Sequence, residues 1–269
     1  MTGPYLHVLG LETRKLMSYR ADFWLHTVVA FAVQMAIAFF LWRAIFDATG
    51  EGSIGGFAFD GMVAYYVLAL LIGRLVRGKE REITIARDIY EGALSRYLLF
   101  PASYGGMKYA EHLGALAPAA LQVVVLGGLA AVAVPAPAGF EISPATVAMA
   151  TVVVAFANLL AFLLRFPIQA VAFWADNVWS LNVMLRFVTE FLGGLLLPLS
   201  LFPEVAQKAM AWLPFQYFFY FPAAVLIGKV DPEAWLRGLG VMALWCCLLG
   251  LLGAWVWRRG IRTYAGVGI

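Results

Sequence analysis

The sequence predicts an all-α integral membrane protein with six transmembrane helices, and three observations support that class. Hydrophobic residues make up 63% of the chain, and its mean hydropathy is +0.83. Only 13% of the residues are charged, compared with about 25% in a typical soluble domain. Several apolar stretches reach the roughly 20 residues that a helix needs to cross a hydrocarbon core.

Residues 4–20 are predicted to form an amphipathic elbow helix in the membrane interface. Its leucines can line one side, while its charged side chains reach the lipid headgroups. A secretory signal peptide is not expected, because the apolar stretch precedes the basic cluster and no small-residue cleavage site follows. A frayed terminus is the alternative interpretation.

The distribution of charge between the apolar segments predicts the topology. The loop 47–60 contains three acids and no Lys or Arg, so we expect it outside the membrane. Six spans would place both termini in the cytoplasm, together with fifteen of the nineteen basic residues. The predicted spans cover about 22–46, 57–76, 113–134, 144–164, 187–202 and 235–257.

Residues 211–228 are apolar enough to suggest a seventh span, but Pro214 and Pro222 break the segment. A seventh span would also place the arginines at 258, 259 and 262 outside. We therefore predict a broken re-entrant hairpin before the last span, buried in protein or at the interface. Its aromatic run 217–221 is expected to anchor it at the interface, with contact to an amphipathic ligand as the alternative.

A polar hairpin, residues 77–108, separates the second and third predicted spans. Seven of the nineteen basic residues lie between Arg74 and Lys108, which places this stretch on the cytoplasmic side. From residue 82 to residue 97, apolar side chains recur at helical spacing with charges between them. The apolar side of such a helix could pack on its own bundle, on lipid or on a partner protein, and we predict a partner.

Side chains that could carry chemistry are few. The three histidines lack the spacing of metal ligands, so no metal site is predicted. Gly73 to Lys79 matches half of a phosphate-binding loop, but Glu80 stands where the motif requires Ser or Thr. We therefore expect no catalytic residue and no cofactor on this chain.

Four polar residues in the predicted spans or beside them are candidates for a translocation pathway. Glu190 is an acid among apolar residues, and intramembrane charges are functional candidates by default. Arg186 lies four residues before it and could neutralise its charge. Gln122 and Asn158 could line a pathway or could bond between helices.

The order of these elements resembles the membrane subunits of ABC transporters of the ABC-2 class, also called type V exporters. Residues 88–101 (DIYEGALSRYLLFP) look like the acidic-Gly helix of that family, followed by a Leu-rich turn and Pro. Residues 258–268 (RRGIRTYAGVG) are similar to the basic-Tyr-Gly ending of a bacterial branch that includes daunorubicin-resistance-like permeases. The resemblance covers essentially the whole chain.

This resemblance implies the permease subunit of an ATP-driven exporter of a small amphipathic or lipid-like molecule in the bacterial inner membrane. Its implied partners are two copies of an ABC ATPase, which would bind ATP and Mg, a second permease (identical or homologous) and membrane lipids. No nucleic acid is expected. Residues 86–97 would be the coupling helix that inserts into the ATPase. The residues implied in that contact are Arg87, Asp88, Tyr90, Glu91, Gly92, Leu94 and Arg96.

Two other classes remain open from the residues alone. An ion-coupled transporter working without a partner predicts paired broken helices with intramembrane acids, and the chain shows one broken region and one acid. A membrane-embedded lipid-modifying enzyme needs polar residues clustered at one depth, and only Arg186 and Glu190 qualify. Nothing in the sequence selects a substrate.

Overall fold

The structure is a computed structural model that describes residues 3–18, 20–78, 83–133, 137 and 139–265, with only the backbone of 20–23. All regular structure in these ranges is helical, as predicted, apart from one isolated bridge between Ile54 and Phe57. The α-helices are α1 (Pro4–Ser18), α2 (Arg20–Thr49), α3 (Phe59–Arg77), α4 (Thr84–Tyr90), α5 (Leu94–Leu98), α6 (Tyr104–Gly114), α7 (Leu116–Ala133), α8 (Pro144–Ala170), α9 (Trp179–Leu192), α10 (Glu204–Met210), α11 (Tyr220–Leu226) and α12 (Pro232–Gly260).

Five helical segments of the described chain are long and apolar enough to cross a membrane. Five of the six predicted spans fall on them. The third begins at Tyr104 rather than near residue 113, because α6 and α7 follow each other with only Ala115 between them. The five segments are Trp24–Thr49, Phe59–Arg77, Tyr104–Val132, Pro144–Phe173 and Pro232–Gly260.

The predicted fifth span, 187–202, does not coincide with one helix. α9 has 14 residues, fewer than the roughly 20 that a straight crossing requires. It ends where Gly193 and Gly194 follow, and Gly194 has φ +89°, in the left-handed region that favours glycine. The chain then runs irregularly to Leu201, which lies against Gly55 in the loop between α2 and α3. The count of six crossings therefore remains a prediction.

The predicted re-entrant segment lies in the protein core. It consists of a 3₁₀ turn (Phe215–Phe218) followed by α11, and it packs against α3 and α8. Its aromatic run is almost entirely buried, with Phe219 fully inaccessible. The prediction that these aromatic residues anchor the chain at the membrane interface is therefore wrong, because their neighbours are helices of the same chain.

The described bundle is held together by two large apolar clusters and by a third one between α3 and α7 with three buried residues, Val67, Leu71 and Leu126. The larger cluster runs along α3, α8, α11 and α12. The smaller cluster lies where α3 ends and α6 begins, which we call the hairpin end of the bundle. α1 also lies at this end, because its Tyr5 hydroxyl accepts the backbone N–H of Ser103, the residue before α6, at 3.1 Å. The buried members of the smaller cluster are Ile85, Ala86, Ile89, Leu94, Tyr104, Phe166, Ala172 and Val178.

Candidate functional site

Between α3 and α6, the described residues 83–103 form a hairpin of two short helices, α4 and α5. Gly92 lies between these helices and has φ +70°, a left-handed conformation typical of the residue that follows a helix C-terminus. The single helix predicted for residues 86–97 is therefore wrong. Gly92 separates the first helix from the second, which the helical spacing of the apolar residues did not reveal.

The apolar side of the hairpin packs on its own bundle, so the prediction that this side meets a partner protein is wrong. Two hydrogen bonds hold it there. The backbone N–H of Ile85 donates to Oε1 of Gln169 at 3.0 Å, and the Tyr90 hydroxyl donates to the carbonyl of Ala175 at 2.8 Å. The four core residues, each at most 4% exposed, are Ile85, Ala86, Ile89 and Leu94.

The opposite side of the hairpin carries exposed charges and an apolar tip. Leu99 in this tip is 85% exposed. An exposed apolar patch beside charged side chains is typical of a site that contacts another protein or the membrane. We call this surface the outward face and define it by Arg87, Glu91, Arg96, Leu98, Leu99 and Phe100, all of which are exposed.

The residues for which the family resemblance implies partner contact divide between the two sides of the hairpin. Three of them, Arg87, Glu91 and Arg96, belong to the outward face. Gly92 forms the turn between the helices. The other three, Asp88, Tyr90 and Leu94, make contacts within the chain.

A polar network connects the hairpin to α6. Lys108 is 5% exposed, and its ammonium pairs with Oδ2 of Asp88 at 2.7 Å and with Oε2 of Glu111 at 3.0 Å. The Tyr104 hydroxyl donates to the same oxygen of Asp88 at 2.7 Å. The Tyr97 hydroxyl accepts from Lys108 at 3.1 Å and donates to Glu111 at 3.2 Å. Burial raises the pKa of Tyr97, which keeps the hydroxyl neutral and able to do both.

This Lys108 network was not predicted from the sequence, because the topology alone explains a lysine at the end of a span. A signal was present, however. Lys108 and Glu111 are three residues apart in a helix, a spacing that brings opposite charges together. The ammonium pairs with both carboxylates, and each carboxylate also accepts a hydrogen bond from a tyrosine hydroxyl, so every charged group here has at least two partners inside the protein.

The last turn of α3 forms a second polar junction. Carbonyls at a helix C-terminus lack partners within the helix, and α8 supplies donors for two of them. Nδ2 of Asn158 donates to the carbonyl of Leu75 at 2.9 Å, and Nη1 of Arg165 donates to that of Arg77 at 3.0 Å. Asn158 also bonds His112 on α6 through Nε2 at 2.9 Å. This geometry is interhelical bonding, one of the two roles that the sequence left open for Asn158.

An Asn158→Leu variant is expected to lose about 1–3 kcal/mol of unfolding free energy, because a buried carbonyl and a buried imidazole lose a partner. Thermal unfolding of the purified chain in detergent measures this loss. Thr151→Val on the same helix is the control, since the Thr151 hydroxyl is exposed and, in the described part of the chain, bonds only a carbonyl of its own helix. Equal melting temperatures for the two variants would contradict the assigned role of Asn158.

Arg74 connects the α3 junction to the first and third membrane segments. Its Nη2 donates to Oγ1 of Thr27 on α2 and to Oε1 of Gln122 on α7, both at 2.7 Å. Gln122 is completely buried. Within this chain, Gln122 therefore serves as an acceptor between helices.

Glu190 meets α3 as well, through Arg77. Nη1 of Arg77 lies 2.7 Å from Oε1 of Glu190. The sequence suggested Arg186 as the neutralising partner, but the structure pairs Glu190 with Arg77 instead. Arg186 has no ion pair among the described residues. Three of the four candidate pathway residues thus contact the end of α3, and Arg186 does not.

Beside the Lys108 network lies a polar cleft of about 50 Å³ between α4, α6 and α8. Pockets for drug-sized ligands usually measure about 300–1,000 Å³, so this cleft does not hold such a ligand. Among the described residues, no group of three His, Cys, Asp or Glu side chains could hold a metal ion. The polar groups that line the cleft come from Thr84, Lys108, Glu111, His112, Arg165 and Gln169.

The fold and the site define a multi-pass membrane protein with partly buried ion pairs at the hairpin end of its helical bundle. A family model described as ABC-2 family transporter protein matches residues 32–268, and the chain belongs to this family. It is therefore a permease component of an ABC transporter, a kind of subunit that is normally non-catalytic and associates with an ABC ATPase. No curated protein and no solved structure shows significant similarity to the chain.

Proposed function

We propose that this chain is the permease subunit of an exporter for small amphipathic or lipid-like molecules, and that its ABC ATPase docks on the outward face of the hairpin. The observation that supports this proposal is the difference between the two sides of the hairpin. Its inner side is held by an apolar cluster and by the Lys108 network. Its outer side presents charges and an exposed leucine without covering groups. A protein surface with these two sides can receive force from a partner and pass it to the bundle.

The rigidity of the hairpin supports this assignment. An ATPase that closes on ATP can move transmembrane helices only through an element that contacts both. The hairpin contacts α6 through Asp88, the end of α8 through Ile85, and the residues after α12 through Ser95, whose Oγ lies 3.2 Å from the Tyr264 hydroxyl. Movement of the hairpin would therefore be transmitted to three helices at once.

We further propose that ATP and Mg²⁺ bind to two ATPase copies and that this chain binds neither. The stretch that matches half of a phosphate-binding loop supports this view. Residues 73–77 lie in the last turn of α3, whereas a phosphate-binding loop follows a strand and precedes a helix. Arg77 within this stretch is engaged with Glu190.

A second permease, identical or homologous, completes the pathway in this proposal. Gln34 supports it, because this residue lies in the middle of the apolar helix α2, is exposed, and has no hydrogen-bond partner among the described residues. A primary amide in hydrocarbon needs a partner from another helix or from a water-filled cavity. Two permeases that meet around a pathway would supply either one.

We place the protein in the bacterial cytoplasmic membrane, with the hairpin and both termini in the cytoplasm. The basic residues that concentrate at the hairpin and at the end of α12 support this orientation. The ending 258–268 supports assignment to the daunorubicin-resistance-like branch. The alternatives of a transporter working alone and of a lipid-modifying enzyme are not retained, because the chain belongs to the ABC-2 family.

Co-purification tests the proposal. The tagged chain, solubilised in mild detergent, should retain a soluble ABC ATPase in stoichiometric amount, and mass spectrometry would identify both this subunit and any second permease. The purified complex should hydrolyse ATP, whereas the chain by itself should not. Recovery of the chain without an ATPase, from cells that express the neighbouring genes, would overturn the proposal.

A further inference from the structure

We propose that the Arg77–Glu190 ion pair transmits movement of the hairpin to the irregular segment 193–226. This inference rests on the proposed function, because the ATPase is what would move the hairpin. Arg77 acts in it as a positioning residue. It connects the end of a rigid helix to a part of the chain whose backbone is broken by Gly194 and by 3₁₀ turns.

Arg77 lies at the end of α3 that faces the hairpin in sequence. It is the last residue of α3, and Gly78 with φ +51° follows it at the start of the connection to the hairpin. Its backbone is fixed to α8 through the hydrogen bond from Arg165. The hairpin is bonded to Gln169 of α8, one helical turn after Arg165, so a displacement of the hairpin can reach Arg77 through α8.

The side chain of Arg77 runs back along α3 into the bundle. A Cβ built on Gly73, one helical turn earlier, would lie 3.2 Å from Nη2 of Arg77 and 3.1 Å from Cε1 of Phe219. Gly73 therefore provides the space in which the guanidinium and the Phe219 ring meet. The guanidinium carbon lies 5.2 Å from the centroid of that ring, within range of a cation–π contact.

The ion pair and the aromatic ring beside it are largely shielded from solvent. The side chains of Arg77 and Glu190 are 19% and 21% exposed, and Phe219 is fully buried. Screening by salt is weaker for such a partly buried pair than for exposed charges. A Glu190 carboxylate that lost Arg77 would keep a partly buried charge with no other ion-pair partner among the described residues.

Glu190 is bonded to the start of the irregular segment and is linked through Gly193 to its end at α11. Its carbonyl accepts the N–H of Leu195 at 2.9 Å and of Leu196 at 3.1 Å, which holds the turn after α9. The carbonyl of Gly193 accepts the N–H of Tyr220 at the start of α11, at 3.0 Å. A shift of Glu190 would therefore displace the turn after α9 and, through it, the buried aromatic run.

Uncharged contacts hold the same segment farther from the hairpin. The Tyr65 hydroxyl donates to the carbonyl of Gly194 at 2.6 Å, and the Tyr66 hydroxyl donates to that of Leu196 at 3.0 Å. These bonds do not involve Arg77 or the carboxylate of Glu190. They should keep the segment in place when the ion pair is removed, so that loss of transmission is separable from loss of fold.

Exchanging the two charges tests the inference in the complete complex. Spin labels at Ala48→Cys and Val205→Cys, both at exposed positions, report the position of α10 relative to α2. Cys246 and Cys247 are replaced by serine in this background. The distance is measured without nucleotide and after trapping with ATP and vanadate. The intact pair should give a nucleotide-dependent shift, Arg77→Glu or Glu190→Arg should abolish it, and the double exchange should restore it.

Co-purified ATPase and melting temperature are recorded for each variant. If both single variants retain the ATPase and still show the full shift in distance, the inference is wrong and the proposed function stands. The same conclusion follows if the chain with the intact ion pair retains the ATPase but shows no shift. Failure of the intact chain to retain an ATPase would overturn both. If the single reversals do not fold, Arg77→Gln combined with Glu190→Gln removes the pair without leaving a charge. This double variant should fold and lack the shift, and a preserved shift would again overturn the inference.

Discussion

A Glu91→Arg variant is expected to lose its ATPase while the permease itself stays folded. Glu91 belongs to the outward face and is exposed, so a charge reversal there changes what a partner meets. We expect at least a tenfold loss of retained ATPase, which corresponds to about 1.4 kcal/mol of binding free energy. Thermal stability should hardly change, because exposed substitutions away from special features usually stay within about 0.5 kcal/mol. Pull-down at graded salt, with ATP hydrolysis by the retained complex, measures the effect.

The matched control is Glu233→Arg, the same exchange at a residue whose side chain is 83% exposed in the first turn of α12, at the other end of the bundle. It should leave ATPase retention unchanged. Substitution of Gly92 is a poorer test, because any side chain there strains the φ of +70° and disturbs the hairpin itself. Normal retention in Glu91→Arg would mean that the ATPase binds elsewhere.

The largest loss of stability is expected for Lys108→Met. Methionine fills a similar volume but leaves Asp88 and Glu111 without their buried cation. Removal of one partner from a buried ion pair costs about 3–5 kcal/mol, and about 2–4 °C in melting temperature accompanies each kcal/mol for a chain of this size class. We therefore expect the melting temperature in detergent to fall by at least about 6 °C.

Lys208→Met is the control, because the Lys208 side chain is 81% exposed and, of the residues that the structure describes, pairs only with Glu204 in its own short helix. Combining Lys108→Met with Asp88→Asn should recover part of the loss, since the second change removes the carboxylate that lacks a cation. A melting temperature for Lys108→Met within about 2 °C of that of the unmodified chain would show that the network contributes little.

The difference between the predicted and the observed hairpin shows what the spacing of apolar residues can predict and what it cannot. Helical spacing from residue 82 to residue 97 correctly indicates that one side is apolar and buried. It does not indicate what buries that side, and the structure shows that the buried side meets Phe166 and Val178 of the same chain. The spacing also missed the turn at Gly92, because a helix that stops and restarts keeps most of its periodicity.

The polar junction at the end of α3 is a second case in which the sequence identified the residues but not their partners. Asn158, Gln122 and Glu190 stood out in the sequence, because polar groups are costly in hydrocarbon and therefore need a partner. The sequence could not name those partners. Glu190 pairs with Arg77, 113 positions away in the chain, whereas proximity in sequence favoured Arg186. Such pairings depend on which helices pack against each other, and a single sequence does not show this directly.

The sequence by itself determined the class of protein, the helical secondary structure and five of its apolar helical segments. These properties depend on composition and local hydrogen bonding, because a segment in lipid must satisfy its backbone within one helix. Only the tertiary structure decided that the aromatic run is core, that the apolar side of the hairpin packs on its own bundle, and that Lys108 and Arg77 pair with Asp88 and Glu190. Each of these depends on side chains far apart in the chain, whose meeting is set by packing.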